Sequence, residues 1–454
     1  MEKANITIFS PDDIYSYGAM TIAGILENEG YKTQLSRKLT LSEAQNSNFV
    51  GFSLSSTLHL TGKIKSLISN LKNSGKFIVI GGPISITPEF IFNCIPEVDV
   101  VVVGEGEETI LDLVDTWLNS RDLENVDGIA FKNNSKMVIT KQREPADISE
   151  KPLPKIPEDI GSQSIRGASL YIETHRGCAA NCSFCLIPKL FGTKIRTRLL
   201  NSLITEVRSF RKAGAKKIAI GTGNVALYGC KKGVKIEEEK VIKMLKAVSK
   251  VTGPQNLAAP DLRIDMIPDS LVKAILKYTY GLIIFGLESG SNKILRKMRK
   301  GITVEKIKET INRVRKFNGK LKVDGAFIVG YPGESEEDFN MTKELVEELN
   351  LSDYTVSIAE PIPGTELCYE ILKLPVEKNS VFAKDKTRLG KKNDLSIAER
   401  RAFELILTAA LSRTLPIYVD DRLTSEYLKF SQKQGEEIRN MTKIILEKYP
   451  KNYK

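Results

Sequence analysis

The sequence lacks several features that would assign it to a common class of protein. Its 454 residues contain no uninterrupted apolar run of the length that crosses a bilayer. The start, MEKANITIFSPDD, lacks the apolar stretch of a secretory signal, so we expect a cytoplasmic protein. Hydrophobic residues make up 41% of the chain and charged residues 27%, enough apolar content for a folded core. The length suits about two or three domains.

Cysteine is scarce and unevenly distributed. There are six cysteines, and three of them fall within 178–185, whereas Cys94, Cys230 and Cys368 stand alone. A disulfide framework needs a small secreted chain with dispersed cysteine pairs, which this sequence is not. Three clustered thiols in a chain expected inside the cell indicate a metal site.

Positive charge is in moderate excess. The chain has 67 Lys and Arg against 56 Asp and Glu, a formal net charge of +11, and residues 376–454 contribute 17 basic against 11 acidic side chains. Lysines along exposed helices explain such a balance as well as a nucleic-acid surface does. The positive charge therefore does not by itself indicate a nucleic-acid partner, and we expect none. We also expect no membrane partner, since long apolar runs are lacking.

Residues 1–143 read as alternating strands and helices. Short apolar runs at 5–9, 49–53, 77–82 and 98–104 are typical of buried parallel strands, and helical patterns lie between them. This alternation predicts a doubly wound parallel sheet of Rossmann-like α/β type, closed by a hairpin near 128–140. The segment 144–165, which contains four prolines, is predicted to be a linker.

Residues 166–375 form a second alternating series. Six strands are predicted, at 169–174, 216–223, 257–265, 281–289, 322–330 and 354–360. Six strand–helix repeats predict a partial (β/α)6 barrel, in which functional residues follow the strands. Residues 376–454 are predicted to be a basic helical C-terminal region.

The clustered cysteines directly follow the first strand of this second series. Cys178, Cys182 and Cys185 have the spacing C-x3-C-x2-C. Three thiolates on one tight loop can bind three irons of a four-iron cluster and leave the fourth iron open to another ligand. Zinc is the alternative, since His175 would complete four ligands.

This motif resembles the signature of the radical S-adenosylmethionine (SAM) superfamily, including an aromatic residue, Phe184, before the last cysteine. The resemblance implies a 4Fe-4S cluster, SAM bound to its open iron, and an electron donor of the ferredoxin or flavodoxin kind. The cluster cleaves SAM in that superfamily, and the protein positions and shields the chemistry.

The resemblance also implies that SAM is bound by residues at successive strand ends. Asn224 stands where the superfamily often has the acid of a Gly-Gly-Glu motif, and it keeps a side-chain oxygen acceptor. The implied SAM-binding residues are Phe184, Gly221, Thr222, Gly223, Asn224, Arg263, Asp265, Glu288, Ser289, Gly330, Tyr331 and Pro332.

A doubly wound domain ahead of such a core resembles the cobalamin-binding domain of class B radical SAM enzymes. The wider family often has D-x-H-x-x-G after the first strand, and here Tyr15 replaces the histidine between Asp13 and Gly18. We expect either that Tyr15 binds cobalt or that cobalt has no protein ligand below it. The implied cobalamin-binding residues are Asp13, Tyr15, Gly18, Ser53, Ser55, Gly81, Gly82, Gly104, Glu105, Gly106 and Glu107.

The function that the resemblance implies is that of a cobalamin-dependent radical SAM methyltransferase. The methyl group would pass from SAM through methylcobalamin to an unactivated carbon of a small molecule or of a protein side chain, such as the glutamine of methyl-coenzyme M reductase. A cobalamin-dependent cyclase or rearrangement enzyme is one alternative, and a sensor that carries the cofactors is another. A methylthiotransferase acting on tRNA or protein is also open, although residues 1–150 contain only Cys94 to bind a second cluster.

Overall fold

The computed structural model describes residues 5–134, 136–221, 223–230, 235–317 and 321–450. The chain forms two compact units. The first unit comprises Met1–Gly177, Leu186–Ile218 and Ile444–Lys454, and the second comprises Cys178–Cys185 and Ala219–Lys443.

A seven-stranded sheet forms the centre of the first unit. Its strands are β1 (Asn5–Phe9), β2 (Lys32–Ser36), β3 (Phe49–Ser53), β4 (Phe77–Gly81), β5 (Val100–Val102), β6 (Ile129–Asn133) and β7 (Lys136–Ile139). The order is β2-β1-β3-β4-β5-β6-β7; the first five strands are parallel, and β6 and β7 are antiparallel additions. The predicted doubly wound sheet and its hairpin are confirmed.

Four helices accompany this sheet, namely α1 (Tyr17–Asn28), α2 (Gly62–Asn73), α3 (Pro88–Cys94) and α4 (Thr109–Leu118). Residues of α1 and α4 pack with those of β1, β3, β4 and β5 in one apolar core, against which Trp117 is also placed. The sequence prediction missed β2 because an edge strand buries only some of its side chains, so KTQLS has no continuous apolar run.

The remainder of the first unit contains β8 (Leu170–Ile172), β9 (His175–Arg176), α5 (Ile187–Phe191), β10 (Arg196–Thr197) and α6 (Leu200–Lys212). Strands β9 and β10 pair in antiparallel fashion. The proline-rich segment 144–165 packs on α1: the Lys155 amide donates to the Met20 carbonyl at 2.8 Å, and a Cβ at Gly24 would collide with the backbone of Leu153. Glycine at 24 therefore permits this close approach.

In the second series, every one of the six predicted segments contains a strand. The first segment contains β8, and the others contain β11 (Ile218–Ile220), β12 (Leu257–Ala258) with β13 (Asp261–Leu262), β14 (Leu282–Glu288), β15 (Lys322–Val329) and β16 (Asp353–Ile358). Strands β13 to β16 form a parallel sheet in chain order. The helices are α7 (Glu238–Thr252), α8 (Asp269–Tyr278), α9 (Asn292–Lys297), α10 (Val304–Val314) and α11 (Glu336–Leu349).

The C-terminal part is helical, as predicted. It contains α12 (Glu366–Lys373), α13 (Arg388–Asn393), α14 (Ile397–Ser412) and the long α15 (Asp421–Lys448). Helix α14 packs against β16 and α11. Among the described residues, no helix combines the length and the apolar character needed to span a membrane.

Candidate cluster and cofactor sites

The cysteine loop, residues 178–185, belongs to the second unit and is anchored through Ser183. The Ser183 amide donates to the Met298 carbonyl, and the Leu367 amide donates to the Ser183 carbonyl, both at 3.0 Å. The Ser183 and Tyr331 hydroxyls share a buried hydrogen bond of 2.7 Å. Since these partners come from the ends of α9, α12 and β15, three separate elements hold the loop at Ser183.

The three thiols of this loop are only partly buried. Burial raises the pKa of the Cys182 thiol, while the nearby Lys300 ammonium and Arg263 guanidinium partly offset that rise. Arg263 Nη1 lies 4.0 Å from Cys182 Sγ. Two cations beside this sulfur favour its thiolate form, which is the form that binds iron.

Zinc, the alternative metal, needs ligands that converge on one ion. Within the described residues, no three His, Cys, Asp or Glu side chains come close enough together to hold one. The ligands of one zinc ion lie about 2.3 Å from it and must therefore converge, whereas cluster cysteines bind separate irons and stand farther apart. His175 is buried in β9, with its Nδ1 bonded to the Thr174 hydroxyl at 2.9 Å. One of the two ring nitrogens of His175 is thus already engaged.

Glu288, at the end of β14, forms a buried ion pair that the sequence did not reveal. Lys300 Nζ donates to Glu288 Oε1 at 2.6 Å and also lies 5.8 Å from the centre of the Phe184 ring. A bulge between Gly286 and Glu288 turns the carboxylate toward Lys300, and Glu288 adopts a left-handed φ of 65°. A Cβ at Gly286 would lie 2.5 Å from Glu288 Oε1, so glycine at this position leaves room for the pair as it stands.

Arg263 and Asp265 also lie beside the cysteine loop. Arg263 Nε and Nη2 donate to the two oxygens of Asp265, each at 3.0 Å, and Nη2 donates to the Lys300 carbonyl at 2.9 Å. The bidentate pair orients the guanidinium toward Cys182. The structure thus brings Phe184, Arg263, Asp265 and Glu288 together around Lys300, a residue that no motif spacing indicated.

The turn after β11 contains Gly221, Gly223 and Asn224, whereas Thr222 lies outside the described residues. Both glycines have positive φ values, of 124° and 73°. Asn224 is buried and caps the short helix Val225–Leu227, because its Oδ1 accepts from the Ala226 amide at 3.3 Å. Its oxygen is therefore already engaged, and only its second lone pair remains for a SAM amino group.

The remaining predicted SAM residues divide into two groups. The Ser289 hydroxyl is buried and accepts from the Ser291 amide at 3.1 Å, so it stabilises the turn into α9. Gly330, Tyr331 and Pro332 form the turn after β15, where Gly330 has a φ of 72°. Burial raises the pKa of Tyr331 to about 12, so its hydroxyl stays protonated beside the cysteine loop.

In the first unit, small residues line the carboxyl ends of β3, β4 and β5. Ser53 pairs with Gly81 across β3 and β4, and Gly82 has a φ of 92° and a position where a Cβ would lie 2.6 Å from the Leu54 carbonyl oxygen. A Cβ at Gly104 would have no atom within 4 Å, so open space lies beside this position. The Ser53 hydroxyl is 3.2 Å from that of Ser16, which the sequence reasoning missed.

The D-x-Y-x-x-G segment lies in the loop after β1 and at the start of α1. Asp13 and Gly18 are exposed, and Tyr15 is partly buried, with its ring centre 4.8 Å from the Arg37 guanidinium. The Tyr15 amide donates to Gln163 Oε1 at 3.0 Å. Ser55 donates to the Asp12 carboxylate at 3.1 Å, rather than standing free. These contacts place Tyr15 beside the segment 159–163.

The loop after β5 has the arrangement that we least expected. The Glu105 and Glu107 carboxylates are nearly buried and form ion pairs with Arg176, and Glu105 also pairs with Arg196. Gly106 lies between them, next to the Ile22 side chain. Both acids are thus paired with arginines, and Arg176 lies only two residues before Cys178 in the sequence.

Comparison with known proteins identifies two domains in this chain. The model of the radical SAM superfamily matches residues 172–346, and that of the B12 binding domain matches residues 6–114. The chain therefore belongs to the radical SAM superfamily and carries a B12 binding domain. Its cofactors are a 4Fe-4S cluster, SAM and cobalamin, as predicted, and it is a cobalamin-dependent radical SAM enzyme.

Two relatives and one solved structure illustrate the similarity. The chain is 41% identical over 452 residues to "Putative methylthiotransferase MJ0865" of Methanocaldococcus jannaschii, covering 98% of this chain and 97% of that protein. It is 24% identical over 435 residues to the ribosomal protein uS12 methylthiotransferase RimO of Clostridioides difficile, covering 94% and 89%. The fold is similar to that of the radical SAM methyltransferase TsrM of Kitasatospora setae, solved with cobalamin and a [4Fe-4S] cluster, with a TM-score of 0.68, 15% identity and coverage of 97% and 99%.

Proposed function

We propose that the protein is a cobalamin-dependent methyltransferase that transfers a methyl group from SAM to an unactivated carbon. The observation that carries the proposal is the cysteine content of the first unit. Its only cysteine, Cys94, is buried in α3, and burial raises the pKa of its thiol to about 11. A second cluster, which a methylthiotransferase needs in this domain, has no ligands there.

Cys178, Cys182 and Cys185 are the proposed ligands of the cluster. Their loop is held by Ser183, and the Arg263 and Lys300 cations favour a negatively charged group beside it. When bound, the cluster and SAM supply radical chemistry and cobalamin carries the methyl group. The chain binds and shields these groups, and Lys300 and Arg263 orient the acids Glu288 and Asp265 at the proposed SAM site.

The proposed cobalamin site is the carboxyl edge of β3, β4 and β5. Serine and glycine at Ser53, Gly81, Gly82 and Gly104 let a large flat ring approach the backbone closely, and the open space beside Gly104 fits that role. Ligands of doubly wound sheets bind at this edge. The residues present therefore fit cobalamin.

Methylthiotransfer is the second candidate, and it is favoured by the similarity to the Methanocaldococcus jannaschii relative, a putative methylthiotransferase. The substrate class is open to the same test. We propose a protein side chain or a small molecule, while the similarity to tRNA and ribosomal-protein methylthiotransferases makes tRNA and a ribosomal protein the necessary comparison substrates.

Anaerobic reconstitution with iron and sulfide, with and without cobalamin, tests the proposal. We expect stoichiometric cobalamin binding and, with substrate, both 5′-deoxyadenosine and S-adenosylhomocysteine. The product should gain the mass of one methylene group only when cobalamin is present. A gain of one methylene group plus one sulfur atom would establish methylthiotransfer, and 5′-deoxyadenosine without S-adenosylhomocysteine would indicate cyclisation or rearrangement. Failure to bind cobalamin would refute the proposal.

Cysteine variants provide the matched comparison. Cys178→Ala, Cys182→Ala and Cys185→Ala should each lose iron after reconstitution, because three thiolates are the minimum that leaves one iron open. Cys94→Ala is the control, since its thiol lies in the first unit and is buried. Retention of a full cluster in any of the three variants would show that the loop is not the cluster site.

A further inference from the structure

Arg176, in the first unit, is a nearly buried arginine that binds several carboxylates. It lies on β9, two residues before Cys178, and its side chain is only 7% exposed. Its Nη1 donates to Glu105 Oε2 at 2.7 Å, its Nη2 donates to Glu107, and its Nε donates to Glu173. One guanidinium thus binds three carboxylates from two separate segments of the chain.

The charges around Arg176 balance. Arg196 is its partner across β9 and β10 and also binds Glu105, with Nη1 to Oε2 at 2.8 Å. Two guanidinium groups at paired positions repel each other, and the Glu105 carboxylate compensates for this because it binds both. Lys151 Nζ donates to Glu173 Oε2 at 2.9 Å, which completes a set of three cations and three carboxylates.

Two of the three carboxylates, Glu107 and Glu173, have pKa values lowered by their cationic partners. Burial alone would raise the pKa of Glu173, but the Lys151 ammonium and the Arg176 guanidinium lower it to about 2. The pKa of Glu107 is likewise lowered by Arg176 against the effect of burial. Arg176 therefore favours the charged forms of the two carboxylates that it binds on either side.

The two segments that Arg176 joins differ in what else holds them. Gly104 begins the loop 104–107 with a φ of 88° and no neighbouring atom within 4 Å of a Cβ position, so this end of the loop has little steric restraint of its own. On the other side, Gly177 has a φ of 92°, and a Cβ there would collide with the Lys194 carbonyl. Gly177 thus restricts the direction in which the chain enters the cysteine loop, and it directly follows Arg176, which binds the loop 104–107.

We propose that Arg176 is a positioning residue that couples the proposed cobalamin loop, 104–107, to the strand leading into the proposed cluster loop. The inference rests on the proposed function, since it assigns one cofactor to each loop. Because coupling between two sites is reciprocal, assembly of the cluster should order residues 104–107, and binding of cobalamin should order residues 173–177. Neither effect requires turnover.

Amide hydrogen exchange of the full chain, read by mass spectrometry, measures both directions separately. In the wild-type protein we expect reconstitution with iron and sulfide alone to slow exchange in 104–107, and cobalamin alone to slow exchange in 173–177, each by about fivefold or more. Arg176→Lys keeps the charge but loses the fork that reaches three carboxylates, so both responses should disappear. Arg121→Lys, on an exposed pair with Asp115, is the control and should keep both.

The possible outcomes separate this inference from the proposed function. If cobalamin and the cluster both bind and neither changes exchange in the other segment, the coupling is refuted and the proposed function stands. If cobalamin does not bind, the proposed function fails, and the cluster arm alone decides whether Arg176 connects the two segments. If Arg176→Lys does not fold, the two wild-type responses still decide, and their absence refutes the coupling.

Discussion

The Ser183 and Tyr331 hydroxyls, 148 positions apart in the sequence, lie 2.7 Å from each other in a buried hydrogen bond. This contact joins the middle of the cysteine loop to the turn after β15. It links the proposed cluster site to a turn that the sequence assigned to SAM binding.

Removing the Tyr331 hydroxyl should weaken the cysteine loop. In Tyr331→Phe the buried Ser183 hydroxyl loses its 2.7 Å bond and keeps only the longer 3.4 Å bond to the Lys297 carbonyl, so we expect a loss of about 1 kcal/mol of unfolding free energy and faster release of iron to a chelator. Denaturant unfolding and iron-release kinetics measure these. Tyr354→Phe, which removes a hydroxyl bonded to the Val346 carbonyl, is the control. Equal iron release in the two variants would contradict the assigned role.

Removing Lys300 should be costly, since it leaves Glu288 as an unpaired buried carboxylate. We expect Lys300→Met to lower the unfolding free energy by about 3–5 kcal/mol. The double variant Lys300→Met with Glu288→Gln should recover much of that loss, because no isolated charge remains. A double-mutant cycle from denaturant unfolding gives the coupling energy. A double variant no more stable than Lys300→Met would show that the ion pair is not what stabilises this site.

Asp324 should make stability depend on pH. Burial, together with the Asp353 carboxylate at the paired position on β16, raises the pKa of Asp324 to about 6. A carboxyl group with a raised pKa in the folded state contributes stability that is complete below its unfolded pKa, near 4, and is lost as pH rises through about 6.

Asp324→Asn should remove this dependence. We expect the unfolding free energy of the variant, measured relative to wild type, to increase by about 1 kcal/mol between pH 4 and pH 8. This figure allows for the partial exposure of the group. Urea unfolding of both proteins at the two pH values provides the comparison. If the difference in unfolding free energy between the two proteins is the same at both pH values, Asp324 does not have a raised pKa.

Tyr15 is expected not to bind cobalt. Its ring stacks with the Arg37 guanidinium and its amide is bonded to Gln163, so it lies beside the segment 159–163. Cobalt(II) paramagnetic resonance spectra of reconstituted wild type and Tyr15→Phe should therefore coincide. A changed spectrum would contradict this expectation.

The sequence predicted the frame of the molecule better than its local contacts. Continuous apolar runs revealed β1, β3, β4 and β5, since buried parallel strands need such runs, but the alternating β2 gave no such signal. The cysteine spacing is a local property and was readable directly. The proximity of Lys300 to Glu288, and of Arg176 to Glu105, arises only when distant segments pack, so no motif could contain it.

Asn224 shows a different limit. Its residue type suggested a free acceptor, but which group its oxygen meets depends on the turn that follows β11. The same holds for Ser289, whose hydroxyl stabilises a turn. Residue type predicts which chemistry is available, whereas packing decides whether a side chain is free to use it.

The path of the chain restricts how this protein can be divided. Gly177 and Leu186 belong to the first unit, while the eight residues between them belong to the second, so the polypeptide passes from one unit to the other and back within a single loop. A gene cut near residue 143 or 165 would leave β8, β9, β10 and α6 on the wrong fragment. The two cofactor-binding halves therefore cannot be produced as independent polypeptides by one cut, and an insertion or deletion in this loop would affect both units at once.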